Sequence, residues 1–326
     1  MNEQLRLQLA CGRYDRTDAL RSREIQPDGI DLDYVGIDVP REIFRRAMES
    51  NEFDAFEFSL SDYVRLAARG NSPLVAIPVF PSRLFRHGYI FVNANAGIAR
   101  PEDLAGRRIG VGLYTQTAAV WIRSHLTSQF HVDLSGVTWV QEGGERSGAF
   151  QYSKALGDLL ANLTVEQSVS GRPLGSQLAE GAIDALMGAR IPDSFGRDPR
   201  VRRLFPNYRE VERRFFEETG IYPIMHVIVL RRHVYDRAPW VARSLFDAFT
   251  RSKTRALELM RFSGAQKYML PWLYSEIGEM DAVFGGDPWK YGVEPNRQTL
   301  SALIGQMVKE RLIPHAMDLE TLFIPI

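Results

Sequence analysis

The chain has 326 residues, with forty Lys and Arg balancing forty Asp and Glu. At about 150 residues per domain this length suits two domains, and the missing basic surplus argues against a nucleic-acid binder, which must neutralise phosphates. A composition of 45% hydrophobic and 25% charged residues excludes long disorder, and the single cysteine, Cys11, excludes an intrachain disulfide or a Cys-rich zinc site. From the N-terminus, Leu5, Leu7 and Leu9 alternate with polar residues up to Gly12, the pattern of a strand. No basic start, apolar stretch and cleavage site precede it, so the chain as given is expected to be cytoplasmic. No apolar run approaches the roughly 20 residues of a membrane span.

Asp15 to Glu24 follows as a short helical segment, and the turn Pro27-Asp28-Gly29 leads into a strand from Ile30 to Val35. Pro40 suits the first position of a helix whose apolar side is Ile43, Phe44 and Ala47. A short apolar strand, Phe53 to Phe58, and a helix around Asp62 to Arg69 come next. The same order then returns. Arg108 to Leu113 reads as a strand, Thr117 to Ser128 as a helix with Ala118, Trp121, Ile122 and Leu126 on one side, and Val137 to Gln141 as a strand. Leu178 to Gly181 closes another helix before Ile183-Asp184-Ala185-Leu186-Met187, which echoes Phe53-Asp54-Ala55-Phe56. A dipeptide match alone can be coincidence. The matching order of the surrounding elements predicts two similar α/β lobes with mainly parallel sheets.

The lobe boundaries also leave a trace. His87 to Asn93 is a strand-like run that leads into the capped turn Arg100 to Gly106, and Ile224 to Arg231 is an apolar strand after Pro223. Pro239 opens a long amphipathic helix carrying Val241, Leu245, Phe249 and Leu257. The predicted arrangement is a first lobe of residues 1–93 plus 224–326, with a second lobe, 94–223, inserted. Two crossings make a hinge, and a hinge makes a cleft in which a ligand can bind.

Four stretches stand out: Phe80–His87 (FPSRLFRH), Gly112–Arg123 (GLYTQTAAVWIR), Thr219–His226 (TGIYPIMH) and Asp287–Arg297 (DPWKYGVEPNR). Together they are specific where each alone is weak, and through them nearly the whole chain resembles the 4,5-dihydroxyphthalate decarboxylase family. The resemblance implies a two-lobed type II periplasmic-binding-protein-like α/β fold with a cleft between lobes. It also implies a role in aromatic catabolism, in the breakdown of phthalates: loss of one carboxylate from 4,5-dihydroxyphthalate to give protocatechuate and carbon dioxide. Such a reaction needs a proton donor near the ring carbon that loses its carboxylate, a partner for the phenolic proton, and a cationic clamp for the carboxylate that stays. The ring accepts the electrons, so no pyridoxal, thiamin or flavin is expected. A non-catalytic binding protein for a small aromatic or other organic anion is the alternative, since the fold alone does not separate the two.

Candidate residues follow from that chemistry. Arg83 and Arg86 offer planar guanidinium groups beside the first crossing, and His87 is of the residue type that gives up a proton near neutral pH. The plainer alternative is two solvated arginines and a histidine capping a turn. Gly110 to Thr117 joins a strand to a helix but lacks the third glycine of a dinucleotide fingerprint, so a nicotinamide enzyme is not expected. Tyr114, Thr115 and Thr117 could instead present hydroxyls and free N–H groups to an anion at the helix N-terminus, or simply cap it. Arg123 further along reads as a contact to substrate or a brace of the lobe. His226 at the second crossing mirrors His87, with a satisfied core histidine as its alternative. Glu57 and Ser59 end their strand where they could accept a phenolic proton or bind a hydroxyl. Arg297 could reach the ligand or stabilise the C-terminal helix. His87, His226 and Glu57 would suit a divalent metal as a minority possibility, but no HExxH or other metal motif is present. The expected partner is therefore a small aromatic carboxylate, with no nucleic acid and no membrane. A homo-oligomer is open, because the apolar tail Leu322 to Ile326 could dock on a lobe or on a second copy.

Overall fold

A computed structural model describes residues 4–142, 163–168 and 172–326. The described strands are β1 (Leu5–Cys11), β2 (Ile30–Gly36), β3 (Ala55–Ser59), β4 (Leu74–Arg83), β5 (Ile90–Asn93), β6 (Arg108–Val111), β7 (Thr138–Gln141), β8 (Thr164–Gln167), β9 (Ala185–Met187), β10 (Val201–Arg203) and β11 (Ile224–Arg231). They form two sheets, one of order β2-β1-β3-β11-β4 and one of order β10-β5-β9-β6-β7-β8. Each sheet belongs to its own compact unit. The first comprises residues Met1–Arg83, Ile224–Ser301 and Met317–Ile326, the second Leu84–Pro223 and Ala302–Ala316.

These limits correct the sequence expectation in two places. Residues 84–93 belong to the second unit, not the first, because β5 pairs with β9 and β10 of its sheet. Residues 302–316 also belong there, where Glu310 forms a buried ion pair with Arg123. Within the run expected as one strand from His87, residues His87–Tyr89 form a 3₁₀ turn and only Ile90–Asn93 is strand.

Read outward from β1 and from β6, the two sheets repeat. β1 lies parallel to β2 and β3, as β6 lies parallel to β7 and β9. β11 is then antiparallel to β3 and β4, as β5 is antiparallel to β9 and β10. The sheets are thus mixed, not mainly parallel as expected. β11 and β5 enter their sheets from the neighbouring unit, so no helical crossover fixes them parallel.

The Asp-Ala echo has a physical basis. The Asp54 N–H donates to the Gln8 carbonyl at 3.1 Å, and its Oδ2 accepts the Gln8 N–H at 2.9 Å. Asp184 does the same with Arg108: its N–H donates to the carbonyl at 2.9 Å, and Oδ2 accepts the N–H at 2.9 Å. Each aspartate therefore locks the start of its own strand to a parallel neighbour, β1 in the first unit and β6 in the second. Each also follows a helix closed by a left-handed residue, Asn51 at φ 52° after Pro40–Ser50 and Gly181 at φ 80° after Leu174–Glu180. Asparagine and glycine are the residues that enter this region most readily.

In the first unit Leu7, Leu9, Leu32, Ile77 and Ile228 pack under Val241, Leu245 and Phe249, the i, i+4, i+8 face of the helix Trp240–Arg261. In the second, Phe91, Val140, Leu174, Leu178 and Val201 form the corresponding core. The C-terminal tail docks on the first unit: the Tyr63 hydroxyl donates to the Leu322 carbonyl at 2.5 Å, and the Ile324 N–H donates to the Ala76 carbonyl at 2.9 Å. Among the described residues no helix is long and apolar enough to cross a membrane.

Replacing Asp54 or Asp184 by Ala removes one charge-assisted hydrogen bond from β1 or from β6. Each variant should lose about 1.5–3 kcal/mol in urea unfolding. Amide hydrogen exchange should accelerate at Gln8 in the first case and at Arg108 in the second; exchange unchanged at both would refute the locking role.

Candidate active site

β3 is a central strand, and all five of its residues are buried. A carboxylate there loses its hydration and must be repaid by donors. Glu57 is fully buried and receives four. Its Oε1 accepts the Tyr14 hydroxyl at 2.8 Å and His226 Nδ1–H at 2.6 Å. Its Oε2 accepts the Gly12 N–H at 2.9 Å and the Cys11 thiol at 3.3 Å.

Topology supplies these donors. In the register of β11 against β3, Ile228 faces Glu57 and His226 faces Ser59, so His226, two residues from Ile228, lies diagonally across from the carboxylate. β1 pairs with β3 at Leu9 and Ala10, which brings Cys11 and the loop after it alongside. Gly12 carries no side chain because a Cβ would meet the Tyr14 ring at 2.7 Å. The loop is held by the Tyr34 hydroxyl, which donates to the Gly12 carbonyl at 2.6 Å, and by the Thr17 hydroxyl, which donates to the same carbonyl at 3.1 Å.

The electrostatics follow from the same contacts. Burial pushes the Glu57 carboxyl up, but the hydrogen bond and charge of His226, with the Gly12 and Tyr14 bonds, outweigh it and hold the group below the ordinary value of 4.5. Burial and then the Glu57 charge push the Tyr14 hydroxyl well up, so it stays a donor. Burial and the same charge raise the Cys11 thiol. His226 is edge-packed on Phe44 at 5.3 Å, its side chain is 17% exposed, and among the described residues Nε2 makes no hydrogen bond. The arrangement is a carboxylate that orients an imidazole and leaves its second nitrogen open to chemistry.

The other expected site residues fall elsewhere. Ser59 is buried and caps the helix Leu60–Ala67, accepting the Asp62 N–H at 3.4 Å, beside the dyad. Arg83 donates to the Asn296 side chain and to the Lys290 carbonyl at 2.7 Å, tying the end of β4 to that loop. Arg297 is a surface residue paired with Glu294 and, at 2.5 Å, with Glu320.

Six more candidate residues, Arg86, His87, Tyr114, Thr115, Thr117 and Arg123, belong to the second unit. His87, read as a proton donor or a turn cap, is fully buried, stacked on His125 at 4.3 Å, with Nε2 2.8 Å from Gln129. Burial pulls it down to about 4, against the Gln129 hydrogen bond, so it rests neutral. The metal set of His87 with Glu57 and His226 is therefore not assembled within one unit, and among the described residues no group of three or more His, Cys, Asp or Glu side chains is placed to hold a metal ion. Arg86 is buried, bonds the Ala189 carbonyl at 3.4 Å, and is brought down by burial to about 10. Arg123 is the brace that its alternative reading named. Its guanidinium pairs with Glu310 through Nε at 2.8 Å and Nη2 at 2.5 Å, and Nη1 donates to the Tyr114 carbonyl at 2.9 Å.

The loop expected to bind an anion is enclosed. Tyr114, Thr115 and Thr117 are all buried, and the Tyr114 N–H donates to Gln141 at 3.0 Å. Gly110 has a packing reason, since a Cβ there would meet Ile183 at 2.6 Å. A separate open cavity of about 490 Å³ in this unit is lined by residues including Trp121, His125, Gln129 and Lys309. Sequence reasoning missed Tyr14, Gly12 and Cys11. Their only signal was position, directly after the first strand.

Comparison with known proteins fits this geometry in two steps. Residues 37–153 match a family model described as "ABC transporter, phosphonate, periplasmic substrate-binding protein". The periplasmic aliphatic sulphonate binding protein SsuA from Escherichia coli is similar at a TM-score of 0.53 and 12% identity, over 98% of this chain and 92% of that one. Protein AF1704 from Archaeoglobus fulgidus gives 0.54 and 15%, over 94% and 98%. At these identities the likeness speaks for the fold alone: a type II periplasmic-binding-protein-like architecture.

Sequence narrows the class. The 4,5-dihydroxyphthalate decarboxylase of Comamonas testosteroni is 35% identical over 322 residues, 98% of this chain and 97% of that protein. The protein of the same name from Pseudomonas putida is 41% identical over 202 residues, 62% of this chain and 77% of its own length. The chain belongs to the 4,5-dihydroxyphthalate decarboxylase family, and with it to the enzymes that share this fold.

Glu57 has a folded value below 4.5, so its stabilising contribution is complete above the ordinary carboxylate range and is lost as pH falls through the lower folded value. The destabilisation of Glu57→Gln relative to the parent should therefore be largest at neutral pH and shrink below pH 4.5. Thermal melts across pH 3–7 test this; a difference independent of pH would mean that Glu57 is not ionised in the fold.

Proposed function

We propose that this chain decarboxylates 4,5-dihydroxyphthalate to protocatechuate and carbon dioxide, in the breakdown of phthalates, with the Glu57–His226 dyad moving the proton. The observation that carries the assignment of residues is the 2.6 Å bond from His226 Nδ1 to a buried, ionised Glu57, with Nε2 left without a partner among the described residues. Descent from a common ancestor with proteins named 4,5-dihydroxyphthalate decarboxylase supports the substrate.

The departing carboxylate lies para to a ring hydroxyl. As that hydroxyl gives up its proton, electron density moves to the para carbon, which takes a proton from His226 Nε2 and becomes tetrahedral. The bond to the carboxylate then breaks, carbon dioxide leaves, and the bonding pair restores the aromatic ring while the oxygen regains a proton. The net change is one proton taken up and one carbon dioxide released. Glu57 fixes the tautomer of His226 and stabilises the imidazolium form between turnovers. Because the ring itself receives the electron pair, the reaction calls on no pyridoxal, thiamin or flavin, and on this reading no metal ion is needed.

Incubating the protein with 4,5-dihydroxyphthalate should release carbon dioxide at the same rate with and without chelator. His226→Gln keeps shape and hydrogen bonding but has no proton to give, so turnover should fall by about 10²–10⁴-fold while substrate binding changes far less. A folded His226→Gln variant that keeps its turnover would remove His226 from the reaction. Tight binding of the diacid by the parent protein with no release of carbon dioxide would instead favour a binding protein.

A further inference from the structure

A dianionic substrate needs a fixed cation for the carboxylate it keeps, and the arginines that the sequence offers for this are engaged elsewhere. Arg83 holds Asn296 and Lys290, Arg123 holds Glu310, and Arg297 holds Glu294 and Glu320. Arg16 is differently placed. It sits in the 3₁₀ turn Asp15–Thr17 directly after the loop that delivers Gly12 and Tyr14 to Glu57, and its guanidinium lies over the Tyr14 ring at 4.1 Å and over the Trp289 ring at 4.5 Å. Nε donates to the Pro81 carbonyl at 2.6 Å, and Nη1 meets Asp15 at 3.1 Å. Among the described residues Nη2 makes no hydrogen bond, and the side chain is 15% exposed.

A second observation points to a ligand at the same place. The Tyr291 hydroxyl is buried and has no hydrogen-bond partner among the described residues, and the positive charge of Arg16 reaches it. An unused guanidinium edge on the Trp289 ring, with an unused hydroxyl two residues further along the same segment, offers a carboxylate two donors. The cation is also pre-organised. Two aromatic faces and a backbone carbonyl fix its plane, so little side-chain freedom remains to be lost on binding. One tyrosine links it to the acid: the ring beneath Arg16 carries the hydroxyl that bonds Glu57, which in turn bonds His226.

We propose that Arg16, through Nη2, is the residue that binds the carboxylate retained by the substrate and so determines the preference of this site for aromatic acids. The proposal rests on the decarboxylase reading above and deepens it. Because the retained carboxylate is present in substrate and product alike, Arg16 should contribute equally to the binding of both and to the transition state. That is uniform binding, which appears in KM and leaves kcat almost unchanged.

The test is steady-state kinetics of Arg16→Met against the parent, with 4,5-dihydroxyphthalate as substrate and protocatechuate as inhibitor. KM and the inhibition constant should rise together by about 30- to 5000-fold, the range for truncating one partner of a desolvated charge pair, while kcat stays within about threefold. Arg16→Lys, which keeps the charge without the planar fork, should show a smaller rise in both, and it gives the same readout if the Met variant does not fold. Unchanged KM and inhibition constant, or a fall in kcat larger than the rise in KM, would overturn the assignment of Arg16. The decarboxylase reading is judged separately, by release of carbon dioxide from the parent protein.

Discussion

The carboxylate of Glu57 is fully buried in a central strand, and much of the first unit is arranged by that fact. A lone ion in the middle of a five-stranded sheet would cost several kcal/mol, and the group would take up a proton instead. Four donors prevent this, and each one constrains a different part of the chain. The Gly12 N–H requires the loop to turn back at the end of β1; the Tyr14 hydroxyl requires its ring to fold over a residue with no Cβ; His226 requires the register of β11 against β3. Once these are met, the imidazole is oriented and its far nitrogen is open. The geometry useful for moving a proton is the same geometry that makes the buried charge tolerable.

The second unit repeats the scaffold without a carboxylate at the matching position. Counting three residues on from Asp54 gives Glu57, and three on from Asp184 gives Met187, fully buried in the equivalent strand. With an apolar residue there, nothing draws a histidine or a tyrosine toward that strand. Arg123 and Glu310 satisfy each other beneath the Tyr114 ring, and the stacked pair His87 and His125 is kept neutral by burial. Arg123, Glu310, His87 and His125 thus pack against one another and their neighbours, although their residue types match those of a site.

That contrast explains which expectations the structure revised. Arg83, Arg86, His87 and Arg123 were attractive because cations and histidines suit an anionic substrate, and the motifs they sit in are those that carry the family resemblance. The structure places their side chains against Asn296, Ala189, Gln129 and Glu310. Arg86 and Arg123 rest on contacts of about a hundred residues or more in separation, as |i−j| is 103 and 187. No local pattern announces such a partner. Arg16, conversely, looks like an ordinary residue of a short helical segment until Trp289 is brought over its guanidinium.

What the sequence determined by itself was the grammar of the fold. Alternation and helical spacing placed β1, β2, β3, β6, β7, β9 and β11 to within a few residues, because each signal is local: burial of one face of a strand or one stripe of a helix. The repeated Asp-Ala pair also carried real information, since the hydrogen bonds it makes are the same in both units. The sequence further pointed to Glu57 and His226, both unusual in otherwise apolar strands. Only the tertiary structure decided that these two meet at 2.6 Å, that His87 does not belong to the first unit, and that residues 84–93 and 302–316 belong to the second. Strand pairing and buried charge satisfaction join residues far apart in the chain, and they are settled by which donors the assembled sheets bring within reach of each buried acceptor.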